Sequence, residues 1–348
     1  MRIAQIPPLA EAVPPKLYGG TERVVSYLTE ELVRLGHQVT LFASGDSVTS
    51  AELVPIVPKA LRLDPKVRDF TPYTCMLIDQ VMRRAHEFDV LHFHIEMLHF
   101  PCFRHMASRT VTTLHGRLDL PDHLQFYRTF PQFPLVSISH AQRRPMPPVN
   151  WVATVPHGLL PDLLRFNPEP DDYFAFLGRI SPEKGPDRAI RIAREAGVNL
   201  KIAAKVDKAD REYFDTVVKP LLSDPSIEFV GEVNEQQKNE FLGKARGLLF
   251  PIDWPEPFGL VMIEAMACGT PVIAFERGSV PEILESGLTG YIVNSVEDAI
   301  EVVPRAMALD RRRVRARFEE RFTASRMAQD YVAAFEQLLG AGGALRVA

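Results

Sequence analysis

Apolar runs of strand length alternate with segments of helical periodicity along this chain, and the alternation starts twice. The first series opens with Arg2 to Ile6. A proline-rich loop ending in Tyr18-Gly19-Gly20-Thr21 follows. Next comes a helical stretch with Val25, Leu28, Leu32 and Leu35 on one face and Gly36 as its stop, then a second strand from Val39 to Ala43. That order is one βαβ unit. Further runs at Val90–Phe93, Thr110–Leu114, Leu135–Ile138 and Val152–Val155 each end in a polar loop. The stretch from Pro161 to Asp172, rich in Pro and Asp, predicts an interdomain linker. The second series places strands at Tyr173–Leu177, Leu200–Ala204, Ile227–Val230, Gly247–Phe250, Val272–Phe275 and Tyr291–Val293. Helices such as Pro186–Ala196 and Asn234–Ala245 lie between them. Two such series predict an α/β protein with two doubly wound, mostly parallel sheets.

A length of 348 residues suits two such domains. With 46% hydrophobic and 24% charged residues, the composition is that of a soluble globular chain. The net charge of −4 argues against a general polyanion binder, so nucleic acid is not an expected partner. The three cysteines, Cys75, Cys102 and Cys268, are too widely spaced for a disulfide framework or a zinc site. The N-terminal strand has no signal-peptide character, and no apolar run spans a bilayer, so a cytoplasmic location is expected.

In doubly wound sheets ligands bind beyond the carboxyl ends of the strands. In the first half His94, His115, His140 and His157 stand there. Read singly, each is expected to hydrogen-bond its own loop. His92-Phe93-His94 offers a metal pair without a third ligand, so no metal is expected. Gly19-Gly20, between a strand and a helix, either lets backbone amides approach an anion or makes a plain tight turn. In the second half Arg179 and Lys184 flank a turn, Gly178 to Gly185, that leads into a helix. They are either a diphosphate clamp or a pair of solvated charges.

The most specific stretch runs from Trp254 to Gly269. Pro257 is placed to open a helix and Gly269 to close it. Glu256 then sits just outside the N-terminus, and the amides of Phe258, Gly259 and Leu260 count among the donors left free by the first turn. Glu264 lies one turn beyond Leu260 among apolar residues, where a carboxylate needs a partner. A ligand hydroxyl pair and a buried ion pair both meet that need.

Together these motifs resemble the family-four retaining glycosyltransferases of GT-B fold, whose E-x7-E motif Glu256 and Glu264 match. Gly19-Gly20, Leu114-His115-Gly116, Pro156-His157-Gly158, Gly178-Arg179, Lys184-Gly185, Pro257-Phe258-Gly259 and Gly269-Thr270-Pro271-Val272 follow in the family's order. The match is poorest between Ser47 and Glu87. The resemblance implies two Rossmann-like domains facing across a cleft. One is an acceptor domain, 1–165, completed by a crossover helix in 324–348. The other is a donor domain, 170–321. It further implies metal-independent transfer of a hexose, without a cofactor, from a nucleotide-diphosphate sugar to a hydroxyl acceptor. UDP-glucose is the first choice of donor and GDP-mannose the second. The acceptor is a small molecule, a glycan or a lipid-linked group. Arg179 and Lys184 would neutralise the diphosphate and Glu264 would bind the ribose. Glu256, with the amides of Phe258 to Leu260, would hold sugar hydroxyls. His115 would stand near the reacting centre, and Gly20 would let the first domain close on the phosphates.

Trp254 and Ser279 depart from the family pattern. The tryptophan replaces a small residue and the serine replaces a second glycine. A sugar-nucleotide epimerase of the same architecture and a non-enzymatic two-domain sugar-binding protein are the alternatives. The basic run Arg311-Arg312-Arg313-x-Arg315-x-Arg317 reads as a solvated helix face, or as a peripheral contact with anionic lipid. The last helix, about Ala324 to Leu339, carries Met327, Tyr331, Ala334, Phe335 and Leu338 on one face and is expected to pack on the first domain.

Overall fold

The computed structural model describes residues 1–16 and 19–344, with 341–344 as backbone alone. Tyr18 of the glycine loop and the end of the 324–348 extension therefore lie outside the described residues. Two compact units divide the chain. Unit 1 comprises Met1–Gly158 and Ala324–Ala348, and unit 2 comprises Leu159–Thr323.

Unit 1 is built on strands β1 (Arg2–Ile6), β2 (Gln38–Ser44), β3 (Glu52–Val57), β4 (Val90–Phe93), β5 (Thr110–Thr113), β6 (Leu135–Ser137) and β7 (Trp151–Thr154). They form one sheet in the order β3-β2-β1-β4-β5-β6-β7, with every pair parallel. The central strands are buried on both faces, which is why β1 and β4 read as mostly apolar runs rather than alternating ones, interrupted inside by Gln5 and His92 alone. Strand β3 falls in the stretch of poorest family resemblance, and the sequence reading did not assign it. Its pattern, Glu-Leu-Val-Pro-Ile-Val, contains a proline, and it lies at the sheet edge where a proline is tolerated.

Unit 2 carries β8 (Phe174–Arg179), β9 (Leu200–Lys205), β10 (Ile227–Gly231), β11 (Gly247–Phe250), β12 (Val272–Phe275) and β13 (Gly290–Val293). Their order is β10-β9-β8-β11-β12-β13, again parallel throughout. Both sheets thus follow the Rossmann-like pattern, in which the strand order reverses once, between β1 and β4 and between β8 and β11. Apolar side chains of Phe176, Ile190, Ile202, Ile273 and Val303 fill the core of unit 2.

Helices of eight residues or more are α1 (Gly20–Arg34), α2 (Thr71–Arg84), α3 (Pro121–Thr129), α4 (Pro186–Ala196), α5 (Glu235–Gly243), α6 (Leu260–Ala267), α7 (Val296–Met307), α8 (Arg311–Arg321) and α9 (Ala324–Ala344). Helix α9 packs within unit 1 against α1. Its stripe of Met327, Tyr331, Ala334, Phe335 and Leu338 is buried there. The Tyr331 hydroxyl lies 3.0 Å from Thr113 Oγ1 on β5. No helix among the described residues is long and apolar enough to cross a membrane.

Two sequence expectations need correction. Pro161 to Asp172 is not a free linker, because its backbone is tied into unit 2. The amide of Arg165 donates to Asn239 Oδ1 at 2.6 Å and that of Asn167 to the Cys268 carbonyl at 3.1 Å. The contact boundary falls at Gly158/Leu159 instead, so 159–165 leaves the expected 1–165 domain. Nor is the basic run a solvated face throughout, since Arg312 and Arg313 are exposed but Arg311 and Arg315 turn into the fold. Arg311 is 8% exposed and donates to the carbonyls of Asn167, Gly243 and Ala245 and to Thr270 Oγ1. Arg315 donates to the carbonyls of Pro161, Leu164 and Ala267. The planar guanidinium fork suits such a set of orphan carbonyls, and burial lowers the Arg311 pKa to about 10.

Arg311→Ala should therefore lower the unfolding free energy by about 3 kcal/mol or more, at ~1–3 kcal/mol for each buried carbonyl left unpaired. Exposed Arg313→Ala should stay within about 0.5 kcal/mol of the unaltered chain. Urea unfolding of both variants checks this, and equal effects would restore the solvated-face reading.

Candidate active site

In unit 2 the loops leaving β8 and β11 stand on either side of the strand-order reversal. After β8, the Ser181 carbonyl accepts from the amides of Lys184 and Gly185 and closes a turn. Gly185 has φ 70°, and a Cβ there would stand 2.5 Å from the Pro251 carbonyl oxygen just after β11. Only glycine permits both the left-handed backbone and that approach. The loops are then joined by Arg188 Nε to the Pro251 carbonyl at 2.8 Å and by the Asp253 amide to the Glu183 carbonyl at 2.8 Å.

This joining brings Lys184 and Glu256 together, 72 positions apart in sequence. Lys184 Nζ is 2.5 Å from Glu256 Oε2, and Trp254 Nε1 donates to the same oxygen at 3.0 Å. The ammonium also lies 4.7 Å from the Trp254 ring centroid, a cation–π contact. Trp254, an open question from sequence, thus braces the ion pair. Glu256 is 8% exposed, and its backbone is fixed from behind. The Ser279 amide donates to the Glu256 carbonyl at 2.9 Å and Ser279 Oγ to the Phe258 carbonyl at 2.8 Å. Serine in place of a second glycine therefore anchors the loop. Arg179 is not in this group. It pairs with Asp210 at 3.4 Å and Glu183 at 3.7 Å.

The helix that follows opens later than expected. It begins at Leu260 rather than Pro257, because Gly259 takes a left-handed turn (φ 81°) at the N-cap. The amides of Phe258 and Gly259 belong to that approach, and of the three expected donors only Leu260 lies in the first turn. Gly269 follows the end of the helix at φ 82°, as a stop should. Glu264, 4% exposed, has a partner that sequence reasoning missed: Lys238 Nζ of α5, at 2.7 Å. The signal was present, since Lys238 shares a helical face with Phe241 and Leu242 and is itself 7% exposed. A buried lysine and a buried carboxylate each need the other.

In unit 1, Gly20 opens α1 and Gly19 precedes it with extended backbone. A Cβ on Gly19 would press on Pro15 Cβ at 2.9 Å and Glu22 Oε2 at 3.1 Å. Glu22, in the first turn of α1, is 5% exposed. Burial raises its pKa, with nearby Glu11 adding to the rise.

Three of the four histidines expected at strand ends meet one another rather than their own loops. His115 Nε2 is 2.8 Å from His94 Nδ1, and the His115 ring stacks on that of His157 with centroids 5.3 Å apart. His140 is exposed at the start of a short helix. The Leu114-His115-Gly116 loop is held on two sides. Gln142 Nε2 donates to the Leu114 and Gly116 carbonyls, and Glu96 Oε1 accepts from the His115 and Gly116 amides at 3.3 Å. Glu96 does this from a left-handed backbone (φ 59°), which is costly for a residue with a side chain. Burial raises its pKa. Gln5, which the sequence did not single out, and His92, read there only as half of a metal pair, connect to this cluster from β1 and β4. Two polar residues inside strands buried on both faces were the legible sign.

Burial lowers the pKa of His92, His94, His99 and His157 well below the ordinary 6.5, and that of His115 to about 3. The groups facing the His94, His115 and His157 cluster include His92, the Glu96 carboxylate and Arg326, whose guanidinium donates to the His157 carbonyl.

Comparison with known proteins adds a second line of observation. Residues 18–170 match the family described as Glycosyltransferase Family 4, and residues 165–321 match Glycosyl transferases group 1. A D-inositol 3-phosphate glycosyltransferase from Mycobacterium bovis is 34% identical over 160 residues, covering 43% of this chain and 33% of that protein. The match thus spans about a third of the length of the curated relatives. Among solved structures, sucrose-phosphate synthase from Thermosynechococcus elongatus superposes with a TM-score of 0.80 at 19% identity, over 98% of this chain and 100% of that one. Anabaena HepE in complex with UDP and glucose gives a TM-score of 0.71 at 19% identity, over 97% and 100%. Both likenesses are to GT-B folds.

The histidines yield a pH prediction. Below about pH 6.5 the unfolded chain takes up protons that the folded chain refuses, so stability falls as pH falls. Each ring contributes up to about 1.4 kcal/mol per pH unit. For His115 that loss runs down to about pH 3. Glu22 and Glu96, with raised pKa values, give the opposite slope in the carboxylate range. The melting temperature should drop between pH 7.5 and 5, and a flat profile by circular dichroism would contradict the neutral cluster.

Proposed function

Because the chain belongs to the family-four glycosyltransferases, we propose that it is a retaining enzyme that moves a hexose from a nucleotide-diphosphate sugar to a hydroxyl acceptor. One observation carries this reading: the joined loops after β8 and β11 gather Lys184, Glu256 and Trp254 where a doubly wound sheet takes its ligand. UDP-glucose is the donor of choice, in keeping with the UDP and glucose bound by the HepE neighbour, and GDP-mannose is the second. In this reaction the bond from the sugar anomeric carbon to the diphosphate oxygen breaks. A bond to the acceptor oxygen forms on the same face. The hydroxyl proton passes to the departing phosphate.

Negative charge grows on the diphosphate as that bond loosens, and preorganised cations stabilise it. Lys184 and Arg179 take this role, so the reaction proceeds without a metal. Glu256 accepts hydrogen bonds from sugar hydroxyls, and the amides of Phe258 to Leu260 supplement it. Glu264, paired with Lys238, receives the ribose hydroxyls. His115 contacts the sugar. Gly19 and Gly20 keep the start of α1 clear for the phosphates.

A thermal-shift panel of UDP-, GDP-, ADP- and dTDP-sugars tests the donor class, and stabilisation by none of them would sink the reading. Within that class, Glu264→Gln should weaken nucleotide diphosphate binding by ~1.5–3 kcal/mol through the lost charged hydrogen bonds. It keeps the side-chain volume beside Lys238. Calorimetry measures the change, and an unaltered dissociation constant removes Glu264 from the ribose site. Activity should also survive exhaustive EDTA treatment. Loss on chelation, restored by Mg²⁺ or Mn²⁺, would transfer the charge-neutralising role to a metal.

A further inference from the structure

The buried polar residues of unit 1 form one continuous hydrogen-bond chain, and its proton positions follow from a single side chain. A carboxamide oxygen only accepts and its nitrogen only donates. Gln5 Oε1 lies 2.8 Å from His94 Nε2, so that nitrogen carries the proton and His94 Nδ1 holds a lone pair. His94 Nδ1 lies 2.8 Å from His115 Nε2, which must then be the N–H. On the other side Gln5 Nε2 donates to His92 Nδ1 at 3.2 Å. His92 Nε2 therefore carries its proton toward Thr113 Oγ1 at 2.7 Å, and Thr113 shares a hydrogen with Tyr331 at 3.0 Å. Strands β1, β4 and β5 and helix α9 all contribute. At the far end His115 Nδ1 is buried and accepts nothing from the described residues.

We propose that Gln5 and His94 are positioning residues that hold His115 as its Nε2–H tautomer, so that Nδ1 accepts a hydrogen bond from a hydroxyl of the sugar substrate. This inference rests on the sugar-transfer reading above. A neutral lone pair selects a hydroxyl donor and repels a carboxylate or phosphate oxygen, which can only accept. The chain thus sets the polarity of the contact as well as the ring's position. Burial supports it by keeping the ring neutral across the physiological range.

Two measurements decide the matter. In the full chain labelled with ¹⁵N, long-range ¹H–¹⁵N correlation of the imidazoles should show His115 with protonated Nε2 and bare Nδ1 between pH 6 and 8. Its signals are assigned by their loss in His115→Gln. A protonated Nδ1, the arrangement with the Gln5 amide turned over, overturns the proposal, and so does a doubly protonated ring at pH 7. This measurement needs no donor, so it stands even if UDP-glucose proves not to be a substrate.

The second measurement is UDP release from UDP-glucose. His94→Phe keeps the bulk but removes both ring nitrogens, and should lower kcat roughly ten- to hundredfold. The calorimetric dissociation constant for UDP should stay unchanged. His94→Asn, whose Oδ1 takes the place of Nδ1, should recover most of kcat. Unchanged turnover in His94→Phe, equal loss in both variants, or loss of UDP binding along with turnover would mark His94 as a packing residue only. If the unaltered chain released no UDP while the imidazole spectrum held, the failure would belong to the donor assignment.

Discussion

Parallel pairing within each sheet is the constraint from which the site follows. Every crossover must return over a face of the sheet, so β1 and β4, like β8 and β11, send their chains in opposite directions. The space left at their carboxyl ends cannot be filled by either crossover. In unit 2 it is bordered by two loops that touch because Gly185 has no side chain. An ion pair forms across them, with an indole N–H on the shared carboxylate. In unit 1 the same topology sets His94 after β4 and His115 after β5, two neighbouring strands, close enough for direct hydrogen bonding.

The supporting residues are as specific as those at the site. Arg311 and Arg315 satisfy carbonyls on segments far apart in sequence and fasten 161–167 to the body of unit 2. Lys238 neutralises Glu264 within the fold. Ser279 and Gly278 stand directly behind Glu256, where a Cβ on Gly278 would fall 2.3 Å from the Glu256 carbonyl oxygen. A carboxylate in this position is thus held by backbone contacts from one loop and by side chains from another.

Much of this was legible in sequence, and what was not has a physical reason. Strands buried on both faces announce themselves as apolar runs, and β1, β4, β11 and β12 fall within a residue of expectation. Strand β3, at an edge, lacks that signature. The start of α6 was set by Pro257, a sound local rule, but a left-handed Gly259 delayed it, and sequence does not report φ. Glu256 and Glu264 stood out as carboxylates beside apolar residues. Their partners Lys184 and Lys238 come from other elements, and only packing selects them. Within the arginine run, Arg311 and Arg315 were misread for the same reason. Periodicity separates polar faces from apolar ones, but it does not tell water from a bed of carbonyl oxygens.

The chain from Tyr331 to His115 has a direction, and this bears on inheritance. Each internal member donates at one end and accepts at the other, so no member can reverse alone. A substitution at Gln5 that exchanged its accepting and donating ends would require every histidine beyond it to change tautomer. Mutations at Gln5, His92, His94 and His115 are thus not independent trials. The four positions form one unit of variation, scattered over more than a hundred residues of sequence, in which a lone replacement must keep the donor and acceptor order of the residue it replaces.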